Sequence, residues 1–345
     1  MRALRVLVLL LLCGPLSHSS AQRPDSPGAE MRWFRGNTHT HTIHTDGDSS
    51  PDAVVRWYKE HGYHFVVLTD HDYLTPVDGL NAVFAAPGKF LVLPGVEVTD
   101  RHRQGETSKP VHLNGIGVRE AVKPLGGATI AEMLDNNARA VRAAGGIAQI
   151  NHPNFGWALT AEQIPATREP QLLELWNGHP LVNNRGGGGS PSTEEIWDAV
   201  LTARRRIFAV ASDDAHQFQG EFGRERLNPG RGWVMVRAPE LTAPAIQAAL
   251  ERGDFYSSTG VELKSYAADA TGIRLELPEG ARGSPTRYRT YFIGKGGDVL
   301  KRDESLAPSY EFRGDELYVR VRVEASTGAT AWTQPVFPQK SEPEG

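Results

Sequence analysis

The stretch Asn37-Thr38-His39-Thr40-His41-Thr42-Ile43-His44-Thr45-Asp46-Gly47 puts three histidines and an aspartate within eight residues. The segment before it, residues 31–36, carries Met31, Trp33 and Phe34 and reads as a short first strand. Residues i and i+2 of a strand point to the same side, so His39 and His41 can reach one point in space. Neutral imidazole nitrogens suit zinc, iron and manganese, and two of them on one point outline a metal site. By itself a His-x-His pair is equally compatible with two polar residues at a strand end. What the rest of the chain supplies decides between them.

Residues 1–21 read as a secretory signal peptide. Arg2 and Arg5 are the basic start, residues 6–13 the apolar run, and Ser19-Ser20-Ala21 the small residues for cleavage. The run is too short to span a bilayer comfortably. Cys13, the only cysteine, lies inside this segment and follows Leu12, which does not make a lipidated cysteine box. A chain cleaved near Ala21 would carry no cysteine, so a metal would have to be held by His, Asp and Glu. The expected location is periplasmic or extracellular. Residues 22–30, with Pro24, Pro27 and Gly28, read as a disordered lead-in. The rest of the 345 residues suffices for one large domain and a small one. A net charge of −4 and 8% aromatic residues make an ordinary globular balance, with no basic excess for general nucleic-acid binding. No second long apolar run occurs, so no membrane span is expected in the mature chain.

Further along, Ser50-Pro51-Asp52 starts a helix. Residues 63–69 form a buried strand ending on Asp70-His71-Asp72. Residues 89–93 form the next, with Glu97 just beyond, and residues 111–118 another, carrying His112. Residues 129–144 have helical period with Thr129 as cap. A strand at 146–150 runs into Asn151-His152-Pro153, and one at 171–176 ends at Asn177-Gly178. Ser192 and Glu195 have capping-box spacing and open a helix to about Arg204. The strand at 207–211 is followed by Ser212-Asp213-Asp214-Ala215-His216. Strands alternating with helices argue for parallel strands, and in parallel barrels the chemistry collects at the strands' C-terminal ends. His71, His152 and the Asp214/His216 pair each follow an apolar strand, and that repetition resolves the question His39 and His41 left open. From about Ser257 the pattern changes. Residues 272–277, 288–293 and 316–323 alternate with period two, and no histidine occurs. A small antiparallel sandwich with a structural or substrate-shaping role is expected there.

Taken together, His39-x-His41, Asp46-Gly47, Thr69-Asp70-His71, Glu97, His112, His152-Pro153 and Asp214-x-His216 resemble the PHP family, the polymerase and histidinol phosphatase superfamily of metal-dependent phosphoesterases. The resemblance spans about residues 33–256. The β-rich tail, including Ala331-Trp332-Thr333-Gln334-Pro335, looks like the exported CehA/McbA-like subgroup. The implied fold is α/β, a distorted (β/α)7 barrel over residues 31–256 with a small C-terminal antiparallel β domain over 257–340.

The resemblance further implies two to three divalent metal ions, zinc, manganese or iron. His39, His41, Glu97 and Asp214 would hold the first. Glu97 would bridge to a second, completed by His112 and His152, and Asp46, His71 and His216 would hold a third. An aspartate at position 46, where the family often has histidine, favours manganese or iron there. Glu97, Asp214 and His216 are the residues expected to carry catalysis. Clustered metals activate water and clamp the oxygens of an in-line displacement, which suits hydrolysis of a small phosphate ester without a protein nucleophile. A carboxylic or carbamate ester hydrolase on the same metals is the alternative that the CehA/McbA likeness raises, since fold does not settle substrate. A non-catalytic binding protein with structural metals is a third reading, against which the intact polar set argues. Asp70, Asp213, His44 and Arg231 are expected as supporting or substrate contacts. His61, His64, His102 and His179 read as surface or packing residues, and Arg185, Arg224 and Arg226 as loop charges of which one could fork onto a phosphate.

Overall fold

The computed structural model describes residues 30–280 and 286–338. The expected signal segment 1–21 and residues 22–29 of the lead-in lie outside the described residues. No helix among the described residues is long and apolar enough to cross a membrane.

The chain runs β1 (Arg32–Asn37), α1 (Pro51–Glu60), β2 (Phe65–Leu68), α2 (Asp78–Phe84), β3 (Leu91–Gln104), β4 (Thr107–Ile116), α3 (Ile130–Ala143), β5 (Ile147–Ile150), β6 (Leu172–Asn177), α4 (Thr193–Thr202), β7 (Phe208–Ser212), β8 (Trp233–Ala238), α5 (Ala243–Arg252) and β9 (Phe255–Ser258). Helix starts follow local chemistry. Ser192 Oγ accepts from Glu195 N at 3.1 Å while Glu195 Oε2 accepts from Ser192 N at 2.7 Å, a reciprocal capping box. Thr129 Oγ1 accepts from Glu132 N at 3.2 Å, and Pro51 occupies the first turn of α1, where its missing N–H costs nothing.

Strands β1, β2 and β3 pair in parallel, as do β5, β6 and β7. The uniformly parallel sheet expected from the alternation is interrupted at β4, which is antiparallel to both β3 and β5. Only Gly105 and Glu106 separate β3 from β4, too short for a parallel crossover, so the chain must turn back as a hairpin. Strand β3 runs on for 14 residues, and Glu97 therefore lies within it rather than beyond its end.

The later strands are β10 (Ser265–Ala268), β11 (Gly272–Glu276), β12 (Tyr288–Ile293), β13 (Val299–Asp303), β14 (Ser309–Glu311), β15 (Arg320–Ala325) and β16 (Thr330–Thr333). Their pairings are antiparallel, as period two suggests. Hydrogen bonding does not break at residue 256. Strands β13-β12-β15-β16 continue the main sheet through β9 and β8 to β1, while β10-β11-β14 form a separate three-stranded sheet. Ile273, Leu275, Phe292 and Val321 share one buried cluster between these two sheets.

The arrangement is barrel-like without a closing pair of strands among the described residues. Past the strand ends, Asp214 N donates to His39 O at 3.0 Å and His41 N to Ala215 O at 2.9 Å, joining the β1 and β7 extensions. Lower down, side chains take the place of a neighbouring strand. Ala209 N donates to Gln334 Oε1 and Gln334 Nε2 to Ala209 O, both at 2.8 Å. Ser257 Oγ accepts from Ala211 N at 3.0 Å and donates to Ala209 O at 2.8 Å. Inside, Phe34, Phe65, Leu93, Ile116, Ile147, Leu172 and Val210 meet, and Ile246 and Leu250 of α5 pack under them. Each such burial contributes about 1.5–3 kcal/mol. This apolar plug leaves the opposite strand ends to the polar residues.

Candidate metal centre

Those ends converge. His39 and His41 lie on the extension of β1, where Thr40 bridges Ala215, and His71 follows β2 and bridges Glu97 of β3. His112 sits in β4 opposite Thr99, His152 follows β5, and Asp214 and His216 follow β7. Asp46 returns on a tight turn in which Gly47 N donates to Thr42 O at 3.0 Å. A Cβ on Gly47 would come within 2.9 Å of the His41 and Thr42 backbone, so this turn needs glycine. His152 and Asp214 have left-handed φ values of 24° and 50°. Strain at two non-glycine residues of one cluster is the kind found at functional sites.

All nine side chains expected as ligands come together. His39 Nε2 and His41 Nε2 are 3.1 Å apart, each 3.2 Å from Asp214 Oδ1 and 3.4 Å from a Glu97 oxygen. Glu97 Oε1 is also 3.2 Å from His112 Nδ1 and 3.3 Å from His152 Nε2, and Oε2 is 2.9 Å from His71 Nδ1. Asp46 Oδ2 lies 3.3 Å from His216 Nε2 and 3.4 Å from His71 Nε2. Four overlapping groups could each hold an ion: His41/Asp46/His71/His216, His39/His41/Glu97, His39/His152/Asp214 and His71/Glu97/His112. They differ in part from the implied partition. His41 also joins the Asp46 group, and His152 groups with His39 and Asp214.

The donors fit divalent cations. His41 Nδ1, Glu97 Oε2 and His112 Nε2 are buried without a hydrogen-bond partner among the described residues. His71 Nδ1 is near enough to Glu97 Oε2 to pair with it but is not directed as a hydrogen bond. Buried lone pairs left over by the protein, all nitrogen and carboxylate oxygen, are what zinc, manganese or iron would take up. The electrostatics agree. Burial pushes the Glu97 and Asp214 carboxyls up, yet the surrounding histidines, His39 foremost, hold both well below the ordinary range. Burial also opposes charge on His71, but Asp46 and Glu97 raise it to about 10, whereas burial and His216 bring His41 down to about 4.

Glu174, in β6, was not singled out by spacing. It is fully buried and accepts from His39 Nδ1 at 2.7 Å, His152 N at 2.7 Å, Ser212 Oγ at 2.6 Å and Asn177 Nδ2 at 2.9 Å. It fixes His39 with its Nε2 toward the centre. The available signal was an acid inside Leu172-Leu173-Glu174-Leu175-Trp176, where an apolar residue would fill a buried strand. Asn151 Nδ2 donates to Glu97 Oε1 at 2.8 Å and Asn177 Nδ2 to Asp214 Oδ2 at 3.1 Å, further supports.

Asp70 accepts from Thr42 N and Oγ1, both at 2.8 Å, and from Thr45 Oγ1 at 2.9 Å, so it holds the loop between His41 and Asp46. Asp213 is taken up by Tyr58 OH at 2.9 Å, Arg231 N at 2.6 Å and Gly232 N at 3.0 Å. Exposed His44 bonds Thr75 Oγ1 through Nδ1 at 2.8 Å. The Arg231 guanidinium donates to the Gly178 and Gly223 carbonyls, tying two loops together. His61 stacks on Trp57 and His64 accepts from Arg35 N, both packing roles. His179 stands closer to the centre than a packing residue would. Its ring lies 6.0 Å from His216, and its Nδ1 accepts from Leu181 N at 3.1 Å.

No family model and no curated protein matches the chain. Among solved structures, a two-domain protein containing a predicted PHP-like metal-dependent phosphoesterase, from Bacteroides vulgatus, is similar at 16% identity and a TM-score of 0.45, over 88% of this chain and 95% of that one. An amidohydrolase from Chromobacterium violaceum with bound sulfate and no metal is similar at 17% identity and a TM-score of 0.37, over 55% and 93%. A lesion-specific endonuclease from Pyrococcus furiosus is similar at 14% identity and a TM-score of 0.38, over 64% and 56%. TM-scores below 0.5 leave the chemistry to be argued from the site itself. That His/Asp/Glu cluster fits the metal site implied by the PHP resemblance.

Proposed function

We propose that the chain is an exported metal-dependent hydrolase of PHP type that cleaves small phosphate esters at a centre for two to three divalent ions. The observation that carries this is Glu97, a buried carboxylate shared by two ligand groups with Oε2 unpartnered. Three divalent ions would bring six positive charges against Glu97, Asp46, Asp214 and the adjoining Glu174, and the excess favours an anionic substrate. Bound ions would activate water and polarise the phosphoryl oxygens. The chain's own groups hold position. Asn177 occupies Asp214 Oδ2, which presents Oδ1 between His39 and His41. His216 Nδ1 donates to Asp214 O at 2.9 Å, leaving Nε2 toward Asp46. Glu97, Asp214 and His216 are our choice of catalytic residues, with the seven-stranded barrel and CehA/McbA-like subgroup as part of the same reading.

The test is release of phosphate from a small aryl phosphate, beside cleavage of an aryl carboxylic ester, by protein reconstituted with manganese or zinc. Metal-dependent phosphate release, lost in His216→Ala, is expected. Cleavage of the carboxylic ester alone would transfer the assignment to esters of carboxylic or carbamic acid. Turnover of neither by fully loaded protein would sink the enzyme reading. Protein from the exported fraction should begin at Gln22.

A further inference from the structure

His179 belongs to none of the candidate ligand groups, yet it stands on the rim of the centre. Its ring is nearly perpendicular to that of His216, with centroids 6.0 Å apart, and meets the edge of Phe155 at 5.6 Å, which in turn meets His152 at 5.3 Å. The chain fixes it there at several points. Asn177 Oδ1 accepts from His179 N at 2.8 Å, while Asn177 Nδ2 donates to Asp214 Oδ2 at 3.1 Å. Gly178 N donates to Ser212 O at 2.9 Å, and Gly178 O accepts from Arg231 Nη1 at 3.0 Å. A Cβ on Gly178 would come within 2.8 Å of Asp213 O and of Arg231 Cβ, so the loop packs as closely as glycine allows. These contacts tie His179 to the strand end that carries Asp214. The ring's own bond decides its protonation. Leu181 N donates to Nδ1 at 3.1 Å, so Nδ1 carries no proton, and a neutral imidazole then holds its proton on Nε2. That Nε2–H has no partner among the described residues, and the ring borders an open cavity of about 1040 Å³. An uncharged donor, held beside the ligand groups but outside them, is placed for a substrate atom that the ions do not take.

We propose that His179 is a further catalytic residue, whose Nε2–H donates a hydrogen bond to the ester oxygen as the bond from that oxygen to phosphorus breaks. This rests on the phosphoesterase reading and adds a residue to it. A water oxygen bonds to phosphorus, and the electron pair of the broken bond stays on the ester oxygen. The proton released by the water ends on the departing alcohol, and His179 keeps its own. A preorganised donor acts where charge develops, so its benefit grows with the basicity of the leaving oxygen.

The experiment uses the full chain, loaded with zinc, and follows phosphate release from phenyl phosphate and 4-nitrophenyl phosphate. His179→Ala should lower kcat for phenyl phosphate by about 10²–10³, the scale for one donor at a developing oxyanion, with KM little changed. For 4-nitrophenyl phosphate, whose leaving oxygen disperses its charge into the ring, the loss should stay below about tenfold. His179→Gln, which keeps an N–H donor at similar reach, should recover at least about tenfold of the phenyl loss. Elemental analysis should find native zinc content in both variants. Independently of activity, nitrogen-15 NMR of the zinc-loaded protein should show His179 protonated on Nε2 and not on Nδ1. Equal losses on the two esters, zinc lost from both variants, or a proton on Nδ1 overturns this inference while phosphate hydrolysis by native protein stands. No phosphate from either ester with native protein overturns the phosphoesterase reading itself, and this inference with it.

Discussion

Two clusters of buried charge among the described residues are finished differently. On α4 and β15, Arg320 is fully buried and grips Asp198 with Nε to Oδ1 at 2.8 Å and Nη2 to Oδ2 at 2.6 Å, while Tyr318 OH adds a bond to Oδ1 at 2.9 Å. Its Nη1 is 2.8 Å from Glu194 Oε1, close enough to pair though poorly aligned for a hydrogen bond. Positive and negative charge are both supplied by the chain. Around Glu97 the carboxylates outnumber every fixed positive charge, and polar atoms remain without partners. A structural ion pair closes on itself, whereas a binding centre leaves its charge to be completed from outside.

The largest effect should come from breaking the closed cluster. Asp198→Ala takes both aligned bonds from Arg320 and leaves it buried with only Glu194 beside it, a loss of about 3 kcal/mol in denaturant unfolding. Metal content of the folded fraction should not change. Next, saturating zinc or manganese should stabilise native protein by about 2.7 kcal/mol at a hundredfold excess over Kd, measured by thermal unfolding. Glu97→Gln should lose most of that gain and show the greatest fall in metal by elemental analysis. Equal metal content in this variant would contradict the shared role of Glu97. Glu174→Gln keeps the shape but weakens the hold on His39, and competition with a chelator should show metal affinity lower by about 10–100-fold.

The smallest effect concerns acid. Burial favours the neutral form of Glu194, but Arg320 and Arg322 outweigh it and hold the carboxyl below its ordinary value. A depressed folded pKa contributes stability above the unfolded value of about 4.3 that is lost as pH falls through the folded one. Unfolding free energy should therefore drop more steeply below about pH 4.3 in native protein than in Glu194→Gln. Parallel curves would remove this pair from the comparison.

What the sequence makes legible here is local. His71, His152, Asp214 and His216 each follow an apolar strand, and capping residues at Thr129 and Ser192 mark helix starts that the structure has within a residue. The β3–β4 hairpin escaped because both strands read too short in the sequence, at 89–93 and 111–118; β3 runs on to Gln104 and β4 starts at Thr107, so only Gly105 and Glu106 are left to turn the chain back. Glu174 escaped because a single acid carries no periodicity; its meaning comes from His39, 135 residues away. The continuation of the sheet through β9 into β16 depends on register between segments that only folding brings together.

The bond pair between Gln334 and Ala209 has a consequence for the order of events during synthesis. A ribosome delivers β7 long before the residues that seal its edge. Until Ser257, and then Gln334, emerge, Ala209 and Ala211 present open amide and carbonyl groups to any other nascent chain. The last strand and the residues after it therefore act as a latch whose late arrival sets a window for misassociation. Chains that terminate before residue 334 should spend their whole lives in it.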